Sequence, residues 1–109
     1  MKVITLALTM AILLVFLSSA CVQQSSGKAY TLEEVSEHDS ENDCWMVING
    51  KVYDITSFVN SHPGGEEILD GCGIDATQLF ETRPSGSGTP HSESARNTME
   101  SYYIGNLEV

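Results

Sequence analysis

The sequence predicts an α+β domain in which a small mixed sheet carries short helices packed at one side. Two observations point there. Cys44-Trp-Met-Val-Ile48 and Lys51-Val-Tyr-Asp-Ile55 are β-rich runs separated by Asn49-Gly50, a residue pair whose tolerance of positive φ suits a two-residue hairpin turn. From Thr56 to Phe80, by contrast, the chain is cut by Pro63, Gly64, Gly65, Gly71 and Gly73 into pieces long enough only for brief helices. With 109 residues, 41% of them hydrophobic, there is apolar material for one core and no length for a second domain.

The elements follow in order. Thr31-Leu-Glu-Glu34 is a capping box: Thr31 accepts from a free backbone N–H of the first turn while Glu34 reaches back, so a short helix runs to about His38. The hairpin comes next. Thr56 to Ser61 reads as a short helix that turns Phe58 inward and stops at His62-Pro63-Gly64-Gly65. Glu66-Glu-Ile-Leu69 starts another, ended by Gly71 and Gly73, and Asp75 caps a further helix carrying Leu79 and Phe80. Arg83-Pro-Ser-Gly-Ser-Gly-Thr-Pro90 has nothing apolar to bury and is expected as an exposed loop. A helix over His91 to Met99 and a closing strand around Tyr102-Tyr103-Ile104, with Leu107 beyond, complete the domain; no internal repeat is visible.

Ahead of it lies a segment of different composition. Residues 1–20 hold one charge, Lys2, then an apolar run to Leu17 and the small residues Ser18-Ser19-Ala20, the layout of a secretory signal peptide. An uncleaved anchor is the competing reading, because Val3 to Val22 is just long enough to span a hydrocarbon layer of roughly 30 Å. Leu17-Ser-Ser-Ala-Cys21 also resembles a bacterial lipobox, with lipidation at Cys21, although Ser18 stands where leucine is usual. All three readings take the protein across or onto a membrane, either periplasmic or membrane-anchored and facing outside the cytoplasm. Residues 21–28 then form a polar tether and 29–109 the folded domain.

Charge narrows the function. The formal net charge is -10, and export without Lys2 leaves Lys28, Lys51, Arg83 and Arg96 against 15 acids, a net of -11. Such a surface does not neutralise phosphates, so nucleic acid is excluded as a partner. No G-x-S-x-G or Cys-His signature supports catalysis by side chains alone.

Three histidines remain. His38 sits at a polar helix end, where an imidazolium suits the helix dipole. His62 precedes Pro-Gly-Gly, a turn that restricts the backbone and clears side chains from beside the ring. His91 follows the Gly/Pro/Ser loop at a helix start. Around the latter two stand Phe58, Ile68, Leu69, Leu79, Phe80, Ala95 and Met99, more apolar surface than such short helices need for each other. Two imidazoles across an apolar cleft suit a metalloporphyrin. Structural zinc is the competing metal, but Cys44, Cys72, His62 and His91 include no C-x-x-C or H-x-x-x-H, and covalent haem would need C-x-x-C-H.

The ordered set Tyr30-Thr-Leu-Glu-Glu-Val35, Cys44-Trp45, Gly50-Lys-Val-Tyr-Asp54, Phe58, His62-Pro-Gly-Gly-Glu-Glu-Ile-Leu69, Asp75-Ala-Thr77, Phe80, His91-Ser92, Ala95-Arg96 and Tyr103-Ile-Gly105 resembles the cytochrome b5 haem-binding domain, from about Tyr30 to Leu107. The resemblance implies a cytochrome b5-like fold with one non-covalent haem b per chain and His62 and His91 as axial ligands. It also implies Phe58, Pro63, Ile68, Leu69, Phe80 and Ala95 as pocket wall, Ser92 near a haem propionate, and Trp45 in the core behind the pocket. The stretch from Phe80 to His91 is longer than the family norm, which predicts a looser loop and an altered rim. Cys44 and Cys72 stand where most relatives lack cysteine, and in an exported protein they are expected to pair. The implied function is one-electron transfer, without enzymatic catalysis, by a monomer docking on basic patches of redox partners. A haem- or small-ligand-binding module, and a haem carrier or peroxidase-like protein with an open axial site, are the alternatives.

Overall fold

The computed structural model describes residues 27–109; the signal, lipidation and most tether expectations lie outside them. Five strands form one sheet in the order β1-β5-β4-β3-β2, where β1 is Lys28–Tyr30, β2 Asp39–Ser40, β3 Asp43–Ile48, β4 Lys51–Asp54 and β5 Tyr103–Leu107. Only β1 and β5 run parallel.

The hairpin forms at the expected place. Asn49 and Gly50 take φ of 51° and 78°, the left-handed pair that lets a two-residue turn match strand twist, and set Val47 opposite Val52. Alternation along β3 then sends Val47 to one face and Met46 and Ile48 to the other. On the first face Val35, Val47 and Val52 are fully buried under Tyr30, Trp45, Ile104 and Leu107. On the second, Met46, Ile48, Tyr53, Ile55, Val59, Ala76 and Phe80 form the larger cluster.

Helix α1, Leu32–Ser36, carries the complete capping box: Glu34 N–H donates to Thr31 Oγ1 at 3.0 Å and Thr31 N–H to Glu34 Oε2 at 2.8 Å. It seats Val35 on the first face. The segments after the hairpin are tighter than α-helices. Thr56–Ser61 and Gly65–Gly71 are 3₁₀ helices, followed by α2, Thr77–Thr82, and α3, Glu93–Glu100. Pro63 with Gly64, Gly65 and Gly71 leaves no room for sustained i→i+4 bonding, and short 3₁₀ pieces are the remaining way to pair those backbones.

Cys44 and Cys72 are joined by a disulfide, both cysteines buried, tying β3 to the residue after the second 3₁₀ helix. The outer edge of β3 is further covered by backbone: Gly73 N–H donates to Trp45 O at 2.6 Å, Val47 N–H to Ile74 O at 3.0 Å and Ala76 N–H to Val47 O at 2.7 Å.

Three features differ from the sequence reading. Lys28, assigned to the tether, begins strand β1; its partner is Gly105, far along the chain, and local composition carries no trace of that pairing. Strand β2 was not anticipated either. Asp75 acts one position outside α2, its Oδ1 accepting from both the Thr77 N–H at 3.1 Å and the Thr77 hydroxyl at 2.6 Å, and Ala76 takes the cap position without a side-chain bond.

Candidate functional site

His62 is placed by β3 and the first 3₁₀ helix. Cys44 N–H donates to Thr56 Oγ1 at 3.0 Å, and the Thr56 hydroxyl donates to Asp54 Oδ1 at 2.6 Å, which pins the start of that helix to the sheet. Six residues later His62 ends it. The imidazole Nδ1 lies 3.1 Å from the Gly65 carbonyl oxygen. A carbonyl only accepts, so Nδ1 carries a proton, and in the neutral ring Nε2 is the nitrogen with the lone pair.

The two glycines after Pro63 have different jobs. At Gly65 φ is +74° with open space where a Cβ would stand, so the requirement is conformational. At Gly64 φ is an ordinary −84°, but a Cβ would stand 2.8 Å from His62 Cε1 and 3.3 Å from its Nδ1. There the requirement is steric: the backbone cradles the ring.

His91 is placed by α2. Both its backbone N–H, at 3.2 Å, and its Nδ1, at 2.7 Å, donate to the Phe80 carbonyl oxygen. Its ring stacks on the Phe80 ring with centroids 4.2 Å apart and planes 3° from parallel. This histidine too is left with an Nε2 lone pair. Phe80 is held in turn by the Arg96 guanidinium, 5.1 Å from its ring centre. Arg96 pairs with Glu81, each carboxylate oxygen 2.8 Å from a guanidinium nitrogen. The Arg96 hydrogen bond holds the Glu81 carboxyl below its ordinary range against an opposing effect of burial, and the same bond raises Arg96. Ser92 caps α3 by accepting from Ala95 N–H at 3.1 Å.

The two imidazoles meet across a cleft of roughly 630 Å³, with ring centres 6.5 Å apart and planes 37° apart. Small-molecule and cofactor sites span roughly 300–1,000 Å³. The spacing is a test of fit. A metal held at about 2.0 Å by an imidazole nitrogen is about 3.2 Å from the ring centre, so two rings on opposite sides of one metal would be about 6.4 Å apart. Fixed tautomers, spacing, the Gly64 cradle and apolar walls all suit a flat group with a central metal.

Of the residues singled out from sequence, Phe58, His62, Pro63, Ile68, Phe80, His91, Ser92 and Ala95 line this cleft. Leu69 does not: it packs on the core and borders a separate small hollow with Val59 and Asn60. Met46, Ile48 and Ile55 make a floor that sequence reasoning missed; period-2 alternation in β3 was the signal that could have found Met46 and Ile48. His38 is elsewhere, stacked on Trp45 at 3.6 Å with Nδ1 2.7 Å from Asp43 Oδ1. The segment from Arg83 to Pro90 is tied by hydrogen bonds rather than loose, and several of its residues form the rim.

The profile of the family described as the cytochrome b5-like heme/steroid binding domain matches residues 31–108. A cytochrome b5 isoform B from Arabidopsis thaliana is 51% identical over 82 residues, covering 74% of this chain and 57% of that protein. A cytochrome b5 from Rhizopus stolonifer is 49% identical over 84 residues, 76% of this chain and 60% of its own length. The chain thus spans little more than half the length of such relatives. Among solved structures, that of Ectothiorhodospira vacuolata cytochrome b558, described as a prokaryotic homologue of cytochrome b5, superposes with a TM-score of 0.71 at 44% identity, covering 75% of this chain and 100% of that one.

Proposed function

We propose a function on one premise: this chain belongs to the cytochrome b5 family, whose domain binds haem b non-covalently. The protein is a one-electron carrier, not an enzyme, with His62 and His91 as the two axial ligands, working outside the cytoplasm. The observation that carries this reading is the pair of imidazoles facing each other at 6.5 Å, each committed by a carbonyl to an available Nε2 lone pair.

When bound, the haem supplies an Fe(III)/Fe(II) couple. The chain does the rest. The Gly65 and Phe80 carbonyls fix the two ring orientations and raise ligand basicity by accepting from Nδ1–H. If His62 and His91 both hold the iron, they would leave no place on it for an exogenous ligand. Phe58, Pro63, Ile68, Phe80 and Ala95 line the cleft and would give a bound porphyrin apolar contact while excluding water. Ser92 Oγ accepts from Ala95 N–H, which leaves its hydroxyl proton free for a carboxylate at the rim.

A monomer is part of this reading. The acidic surface favours fast, salt-sensitive docking on basic patches of redox partners. A buried disulfide supports an oxidising compartment, and with it removal or retention of residues 1–20 as a signal or anchor, with Cys21 available for lipidation.

An optical spectrum tests the ligation. The ferric protein should be low-spin and the ferrous protein should not bind carbon monoxide readily. His62→Ala and His91→Ala should each abolish the six-coordinate spectrum, while His38→Ala keeps it. A high-spin wild-type protein would sink the reading.

A further inference from the structure

Arg83 lines the rim of the cleft and makes more hydrogen bonds than any neighbour there. It ends α2 at φ 39° and ψ 60°, a left-handed conformation that residues bearing a Cβ seldom adopt. Its N–H donates to Leu79 O at 3.0 Å, and its carbonyl accepts from Gly86 N–H at 2.9 Å and Gly88 N–H at 3.1 Å. Its side chain then spans the loop: Nε donates to Thr89 O at 2.6 Å, and Nη2 to Thr89 Oγ1 at 2.7 Å and Pro90 O at 3.0 Å.

The last of these bonds matters because of what shares its peptide group. Pro90 C=O and His91 N–H belong to one planar unit. Arg83 Nη2 holds its oxygen, and the Phe80 carbonyl, 3.2 Å from the nitrogen, holds its hydrogen. The plane from which the His91 side chain departs is therefore clamped from both sides. Without the guanidinium, the Phe80 contacts alone would hold His91 at the end of a Gly- and Ser-rich segment with much conformational freedom to lose.

We infer that Arg83 is a positioning residue for His91: by closing the 83–90 loop onto the Pro90–His91 peptide it sets how firmly the second axial ligand holds the haem. This inference rests on the reading of His91 as a ligand. Arg83 is also the one Lys or Arg among the described residues lining the cleft, so a simple role as countercharge to the haem carboxylates is the rival to separate.

The test uses haem-loaded full chain and follows transfer of haem to excess apomyoglobin. Arg83→Ala should release haem about tenfold faster than wild type, the low end for loss of a group supporting a ligand, and should lose low-spin character at lower temperature. Arg83→Lys keeps the charge but cannot reach Thr89 O and Pro90 O together from a fork, and should behave like Arg83→Ala. Thr89→Ala, which removes one acceptor, should give about a twofold increase and stands in should the Arg83 variants not fold. Wild-type retention by Arg83→Lys, or by Arg83→Ala and Thr89→Ala, would overturn the inference. So would equal loss of thermal stability by haem-free and haem-loaded Arg83→Ala with an unchanged transfer rate. A high-spin wild-type spectrum would instead strike the ligation reading, whatever the variants do.

Discussion

On one face of the sheet Val35, Val47 and Val52 are completely covered by Tyr30, Trp45, Ile104 and Leu107. On the other, Met46, Ile48 and Phe80 are buried, but Phe58, Ile68, Leu79 and Met99 stay partly open around the cleft. The first face is closed by the polypeptide alone, with regular strands and a well-capped helix. The second uses 3₁₀ pieces and short helices, each too brief to bury its own apolar side chains. A domain of this size thus divides its core into a part that holds its shape unaided and a part whose apolar contacts a prosthetic group completes.

The largest expected effect comes from taking the haem away. After extraction into an acidified organic solvent, amides in residues 56–71 and 77–100 should lose most of their hydrogen-exchange protection while those of Val47 and Val52 keep theirs. Uniform loss across both faces would erase the distinction. Reducing the disulfide comes next. Its partners are 28 residues apart, for which loss of the cross-link costs about 3.5 kcal/mol on the chain-entropy estimate, to be read as a fall in denaturation midpoint with and without a thiol reductant.

The paired glycines sharpen the contrast on a smaller scale. Gly64→Ala pushes on the His62 ring and should weaken haem affinity about tenfold with little change in the haem-free protein. Gly65→Ala meets no atom but forces φ of +74° on a Cβ-bearing residue, and should cost about 1 kcal/mol of stability in both forms. Titrations of haem into each variant, with melting curves, separate the two.

The smallest effect is electrostatic. Glu81 is held below the ordinary carboxylate range by Arg96, so the pair contributes at pH above that range and its contribution fades as pH falls through the lowered value. Glu81→Gln should therefore flatten the acid limb of a melting-temperature profile and leave the neutral region almost unmoved. A change confined to alkaline pH would contradict the pairing.

The first face and the facing pair His62 and His91 were legible in the sequence because their signals are local. Asn49-Gly50 states its turn, Thr31 and Glu34 state their cap, and His62-Pro-Gly-Gly states a restricted ring site. What escaped depends on distant pairing. β1 is a strand only because β5 accepts it, and β2 only because it lies along β3. Leu69 was named as pocket wall on the resemblance alone, and here it packs on the core while its neighbour Ile68 lines the cleft. Arg83 to Pro90 looked like an unanchored loop because polar composition does not reveal that one guanidinium can satisfy three oxygens along it.

The Cys44–Cys72 link has a topological consequence. Within the covalent ring that it closes lie Phe58, His62 and Ile68; outside it lie Phe80, Arg83, His91 and Ala95. The molecule grips like a vice with one jaw welded to the frame and the other held by hydrogen bonds.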